Sequence, residues 1–257
     1  MARDTDTGGS ELDELAIQME TAVDRFIGNQ NASRAFVEVR FATDDSAGYY
    51  PQAAIDGAQV YLEDDGNPFY DRCPRSLREP IRLKLRRAAK WTDVLSSDLW
   101  SEGFLLADAA LAVFAQLPLG TAQRYKAEVS RGKERRAYTY VFFANNVTHA
   151  DIDFERSAFY IADMIGSPQR LVDIASAEDF DRKRKMISAG ELDGCRRFSR
   201  LEFKSYSLRP GRTPQAAVFG LGTFGTQLYV HRDLYDALRA AEVTGLDFKR
   251  NNRLFAD

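Results

Sequence analysis

Twenty-two residues late in the chain, Gln227 to Phe248, constrain its fold more tightly than any other stretch. They read QLYVHRDLYDALRAAEVTGLDF, and Leu228, Tyr229 and Val230 have the aliphatic, aromatic and β-branched character of a short strand. Leu234, Ala237, Leu238 and Ala241 then recur at spacings of three and four, which puts them on one face of a helix. Thr244-Gly245 predicts its stop, because a glycine past the last turn adopts the left-handed conformation that satisfies the free carbonyls. Leu246-Asp247-Phe248 leaves as a second strand. A helix this short is marginal alone in water, so its apolar stripe has to be buried against a sheet.

The same layout occurs upstream. Phe104 to Tyr125, FLLADAALAVFAQLPLGTAQRY, gives a strand, an acidic helix start, a helix, a stop at Leu117-Pro118-Leu119-Gly120 and a further strand. The match is one of pattern rather than identity, which fits either an internal duplication or two units of shared architecture.

Other segments surround these two. Ala137 to Ala144 (AYTYVFFA) is apolar on both alternations, as a central strand covered on both faces would be. Val37, Val39 and Phe41 alternate with Glu38 and Arg40, which predicts a half-exposed strand. Ser10 and Asp13 form a capping box before Leu12, Leu15, Met19, Ala22 and Phe26, an amphipathic helix ending near Gly28. Residues 166–200 have the look of an insertion, within which Ser176 and Asp179 cap a charged helix running through Arg182 to Ile187 and ended by Gly190. Leu201 and Phe203 are out of phase with Tyr206 and Leu208, which predicts a bulge. Strands and helices mix without a steady βα alternation. The expected fold is therefore α+β: one structural unit over residues 1–257, with a mixed or largely antiparallel sheet and short helices packed on it. The closing helix, from about Arg232 to Ala241, should lie on one face.

At 44% hydrophobic and 28% charged residues the composition is that of a globular protein able to bury a full core. No apolar run approaches the roughly eighteen residues that a membrane span needs. Met1 to Ser10 lacks the hydrophobic region of a secretion signal. Cys73 and Cys195 have no CxxC partner, so neither a disulfide framework nor a structural zinc site is indicated. A cytoplasmic protein without a membrane partner is expected.

Charge is unevenly distributed, at −10 in residues 1–65 and +7 in the remainder. That pattern argues against a nucleic-acid partner and leaves an acidic N-terminal third for a basic one. Arg78, Arg82, Lys84, Arg86, Arg87 and Lys90 form a basic run without interleaved aromatics, which reads as a solvated face.

Gly220-Leu221-Gly222-Thr223-Phe224-Gly225 spells GxGxxG, but that motif holds a dinucleotide only when its last glycine opens a helix. Thr226 to Val230 continues as a strand, so the glycines should form a loop between strands and no cofactor is expected. His149 with Asp151 and Asp153 is the one grouping that could in principle hold a metal or a catalytic centre; a loop capped by carboxylates is the simpler reading. HExxH, GxSxG and GK[ST] motifs are absent from the sequence. Neither catalytic residues nor metal ligands are assigned.

Asn146-Val147-Thr148 leading to Asp153-Phe154-Glu155-Arg156-Ser157, followed far downstream by LYVHRDLYDALRAAEVTGLDF, resembles a family of bacterial immunity proteins from polymorphic toxin systems, the Imm-eleven type. The likeness covers residues 91–248 and leaves residues 1–90 as a variable part. His231 stands where the family usually has a serine capping the closing helix. The resemblance implies a non-enzymatic protein that binds and silences a cognate toxin or effector. An enzyme reversing a toxin's modification, for example a hydrolase, and a binding module unrelated to toxins are the alternatives. An inhibitor of a basic toxin should present complementary charge with aromatic anchors. Asp44, Asp45, Glu63, Asp64 and Asp65 with Tyr49 and Tyr50 offer both, within the part that varies.

Overall fold

The computed structural model describes residues 35–48, 50–56, 79–99, 103–225, 227–251 and 253–256. The amphipathic helix expected before Gly28 lies outside them. In chain order the elements are β1 (Phe36–Phe41), β2 (Ala53–Ile55), β3 (Ile81–Leu85), β4 (Val94–Leu95), β5 (Gly103–Leu106), α1 (Asp108–Phe114), β6 (Ala122–Arg131), β7 (Glu134–Phe143), β8 (Ala158–Ala162), β9 (Pro168–Val172), α2 (Ala177–Ala189), β10 (Arg200–Ser207), β11 (Val218–Gly220), β12 (Leu228–His231), α3 (Arg232–Ala240), β13 (Leu246–Arg250) and β14 (Leu254–Phe255). This is an α+β protein in which sheets dominate. Its described residues form two compact units, one from within 34–148 and 213–251, the other from within 149–212 and 252–257.

The larger unit holds two sheets, one ordered β11-β12-β1-β13 and the other β2-β3-β6-β7-β5-β4. Both strand-helix-strand stretches lie here, and they fold alike. β5 and β6, joined by α1, flank β7, each antiparallel to it. β12 and β13, joined by α3, flank β1 in the same way. Each is thus a split βαβ unit with a third strand inserted between its two parallel strands. Even the outer neighbour matches, since β4 pairs antiparallel with β5 as β11 does with β12. The middle strand alone differs in origin: β7 follows its unit directly, whereas β1 comes from the other end of the described chain.

Packing explains why neither helix needs intrinsic stability. Ala110, Val113 and Phe114 of α1 and Leu234 and Leu238 of α3 belong to one core, together with Val37 and Val39 of β1 and Val141 and Phe143 of β7. The two helices touch each other. On β7, Tyr138, Tyr140 and Phe142 face a second core with Leu83, Leu105 and Val129. This strand is interior to its sheet, exposed over Glu134–Ala137 and covered on both faces from Tyr138 onward.

Two expectations are corrected here. β1 is not half exposed along its length: Phe36, Val37, Glu38 and Val39 are all buried between β12 and β13, and exposure is confined to its end, at Arg40 and in part Phe41. Gly245 is not the residue that ends the closing helix. Glu242 takes the left-handed position with φ 51°, and the amides of Glu242 and Val243 bond to the carbonyls of Arg239 and Leu238. That is a Schellman cap built on a non-glycine residue. Gly245, at φ 92°, serves close approach instead, since a Cβ there would stand 2.0 Å from the Val94 carbonyl oxygen.

The smaller unit has the sheet β14-β10-β8-β9, with α2 against β10. The Ser176 hydroxyl accepts from the Asp179 amide at the start of α2 and Gly190, at φ 75°, ends it. Burial would raise the Asp179 carboxyl, but the Ala175 amide, Arg182 and Lys183 together outweigh it and lower the pKa to about 2. The register of β10 on β8 shifts between Phe203 and Ser205, which is the bulge expected from the phase switch. Phe154, Phe159, Phe180 and Phe203 stack in the core with ring centroids 5.4–6.3 Å apart.

Candidate partner-binding site

Where β12 stops and β1 runs on, the larger unit has a cleft of about 390 Å³ lined by Glu38, Arg40, Phe41, Thr43, Tyr50, Phe104, Gln227 and Leu228 among others. Part of its wall is apolar, where Phe41 and Phe104 meet edge to face, with centroids 5.3 Å apart, and Leu228 begins β12. At its rim stands Tyr50, 54% exposed, its ring 6.2 Å from that of Phe41.

An acidic turn adjoins the cleft. Asp44 accepts from the amide and the hydroxyl of Ser46, which hold its carboxyl below the usual range, the hydroxyl contributing most. Its own carbonyl accepts from the amides of Ala47 and Gly48. Asp45, at the apex, is exposed, and its carbonyl accepts from Lys90 Nζ. Beneath the turn Gln52 is fully buried and saturated: its Nε2 donates to the Lys90 carbonyl and the Thr92 hydroxyl, its Oε1 accepts from the Ser96 amide, and its amide donates to Ser96 Oγ. Gly48, at φ 83°, lets the backbone approach Ala88, whose carbonyl oxygen would lie 2.2 Å from a Cβ. The turn is a fixed feature of the surface.

Of the seven residues expected to bind a partner, Tyr50 lines the cleft, and Asp44 and Asp45 follow Thr43 of its lining in the adjoining turn. Tyr49, Glu63, Asp64 and Asp65 lie outside the described residues. No protein-family model and no curated protein matches the chain. The surface therefore has to be read from its own chemistry.

The cleft adds residues that sequence reasoning passed over, above all Glu38 and Arg40, and the turn beside it rests on a third, Gln52. A signal for the first pair existed, because residues two apart on a strand share a face. The burial of Glu38 depends on strands contributed by the other end of the chain and leaves no local trace.

The other candidate chemistry resolves into structure. Gly220 closes β11, Gly222–Phe224 makes one 3-10 turn and β12 follows, so the glycines do form a loop between strands. A Cβ at Gly220 would stand 2.5 Å from Asn146 Oδ1, which accounts for the missing side chain. His149 opens a 3-10 turn through Asp151, and Asp153 Oδ1 accepts from the Arg156 amide, so the carboxylate caps a turn. Among the described residues no group of three or more His, Cys, Asp or Glu side chains is placed to hold a metal. His231 occupies the position before α3 and makes no capping bond; its Nε2 lies 2.8 Å from the Pro214 carbonyl oxygen, to which it donates. On β3 the exposed Arg82 and Lys84 alternate with buried Ile81, Leu83 and Leu85, a solvated basic strand face. Among the described residues no helix is long and apolar enough to cross a membrane.

Proposed function

We propose that this protein is an immunity protein that acts in the cytoplasm by binding a cognate toxin or effector in a stoichiometric complex, docking through the 44–50 turn and the cleft beside it. One observation carries the reading: an exposed tyrosine lines a cleft of mixed apolar and charged lining, and a hydrogen-bonded acidic turn follows Thr43 of that lining. Binding hot spots combine aromatic anchors with desolvated pockets, and an interface already in its bound shape loses little entropy on association. Tyr49, Glu63, Asp64 and Asp65, outside the described residues, stay candidates for partner binding on their residue type alone.

The partner is found by co-purification from the producing cell and tested by rescue of cells that express it. Asp45→Asn should slow association and flatten its salt dependence, because an exposed charge acts mainly on the encounter rate. Tyr50→Ala should instead speed dissociation. Unchanged kinetics for both variants at low salt would move the interface elsewhere.

A further inference from the structure

Within the cleft, Glu38 and Arg40 divide their exposure unequally. The Glu38 side chain is 7% exposed and that of Arg40 47%. Arg40 Nε donates to Glu38 Oε1, and Nη2 stands in ion-pair contact with the same oxygen. A carboxylate this deep is costly unless it is paired. Its partner here is half in water and comes from the same strand two residues on, so the cation can leave without disturbing any other element.

The remaining surroundings suit a second cation. Phe41, Phe104 and Leu228 offer apolar surface to an alkyl stem, and the rings of Phe41 and Tyr50 offer π faces to a charged head. Asp45 lies two residues beyond Thr43 of the lining, where Lys90, from the chain after β3, donates to its carbonyl. We infer that the cleft is a receptor for a cationic side chain, an arginine or lysine of the bound partner, and that Arg40 occupies its place in the free protein. On binding, the incoming cation takes over Glu38 while Arg40 swings into water from a position already half hydrated. The buried carboxylate is never left alone. An anionic group would instead share the cleft with Glu38, and like charges at that depth repel strongly.

The inference rests on the partner-binding reading for the identity of its ligand, but its chemistry is tested without any partner. The purified full-length protein is titrated at low salt with agmatine and, in parallel, with butyrate, following the amide resonances of residues 38–50 and 227–228. Agmatine should bind saturably and butyrate should not. Glu38→Gln should weaken agmatine by about tenfold or more, the value of a charged hydrogen bond. Arg40→Met should strengthen it, because the occupant has gone. This second variant carries the test even if Glu38→Gln fails to fold. Binding of butyrate that Arg40→Met abolishes would overturn the inference, as would the absence of saturable agmatine binding to both the parent protein and Arg40→Met. Either failure leaves partner binding by the acidic turn untouched, since that is read from association kinetics with the partner.

Discussion

Gln52 shows how much of this surface depends on a side chain that never reaches it. Its amide spans the chain leaving the acidic turn and the strand β4 region, and every one of its polar atoms is bonded in a place where water cannot substitute. Replacing it by leucine keeps the volume but strands the Ser96 amide and the Lys90 carbonyl. Gln52→Leu should therefore cost about 2–4 kcal/mol in chemical denaturation, whereas Asp45→Asn, at an exposed apex, should stay within about 0.5 kcal/mol of the parent protein. Equal stabilities for the two variants would contradict the network. Neither role is legible in the sequence. A glutamine in a stretch of acids and turn residues reads as a loop polar group, and Glu38 reads as a solvent-facing position on an alternating strand. Both are placed by partners distant in sequence, at residues 90–96 for one and in β12 and β13 for the other.

Helices and stops are the elements that local sequence does determine, and the closing helix shows the limit. Its apolar spacing locates α3 within a residue, and the Ser176 cap and Gly190 stop locate α2 as well, because capping is a matter of three or four consecutive residues. The motifs of the family resemblance are of this structural kind. Asp153 and Ser157 tie the turn after His149 to β10, with Ser157 Oγ donating to the Asp153 carbonyl and accepting from the Ser207 amide. Thr244 and Asp93 clasp the loop before β13 to that before β4. What spacing could not show is which residue takes the left-handed turn. With Glu242 in that position, Glu242→Gly should raise stability by about 0.5–1 kcal/mol, as glycine adopts it without the Cβ clash. At Gly245 the sign reverses: Gly245→Ala drives a methyl into the Val94 carbonyl and should cost about 3 kcal/mol or more. Thermal melts of the two single variants distinguish these assignments, and destabilisation by Glu242→Gly would contradict the cap.

At the scale of the molecule, two split βαβ units share one core in the larger unit, and the cleft sits where one of them receives its inserted strand, β1. That arrangement places β1, with Glu38, against strands built from later residues, and the described acids Asp44 and Asp45 follow it in the chain. The repeated pattern of strand, helix and stop is visible in the sequence; its completion by β7 in one unit and by β1 in the other is not, because the two inserted strands have nothing in common in chain order. A scaffold of this kind, with a preformed cleft, is proposed to inhibit by occupancy. The most direct test is a titration: increasing amounts of the purified protein are added to a fixed amount of its co-purified partner, and the partner's toxic activity is measured together with its intact mass. Activity should fall linearly to zero at one protein per partner, with the partner's mass unchanged. Full protection at a small fraction of that ratio, or a change in the mass of the partner or of its target, would make the protein an enzyme and contradict inhibition by occupancy.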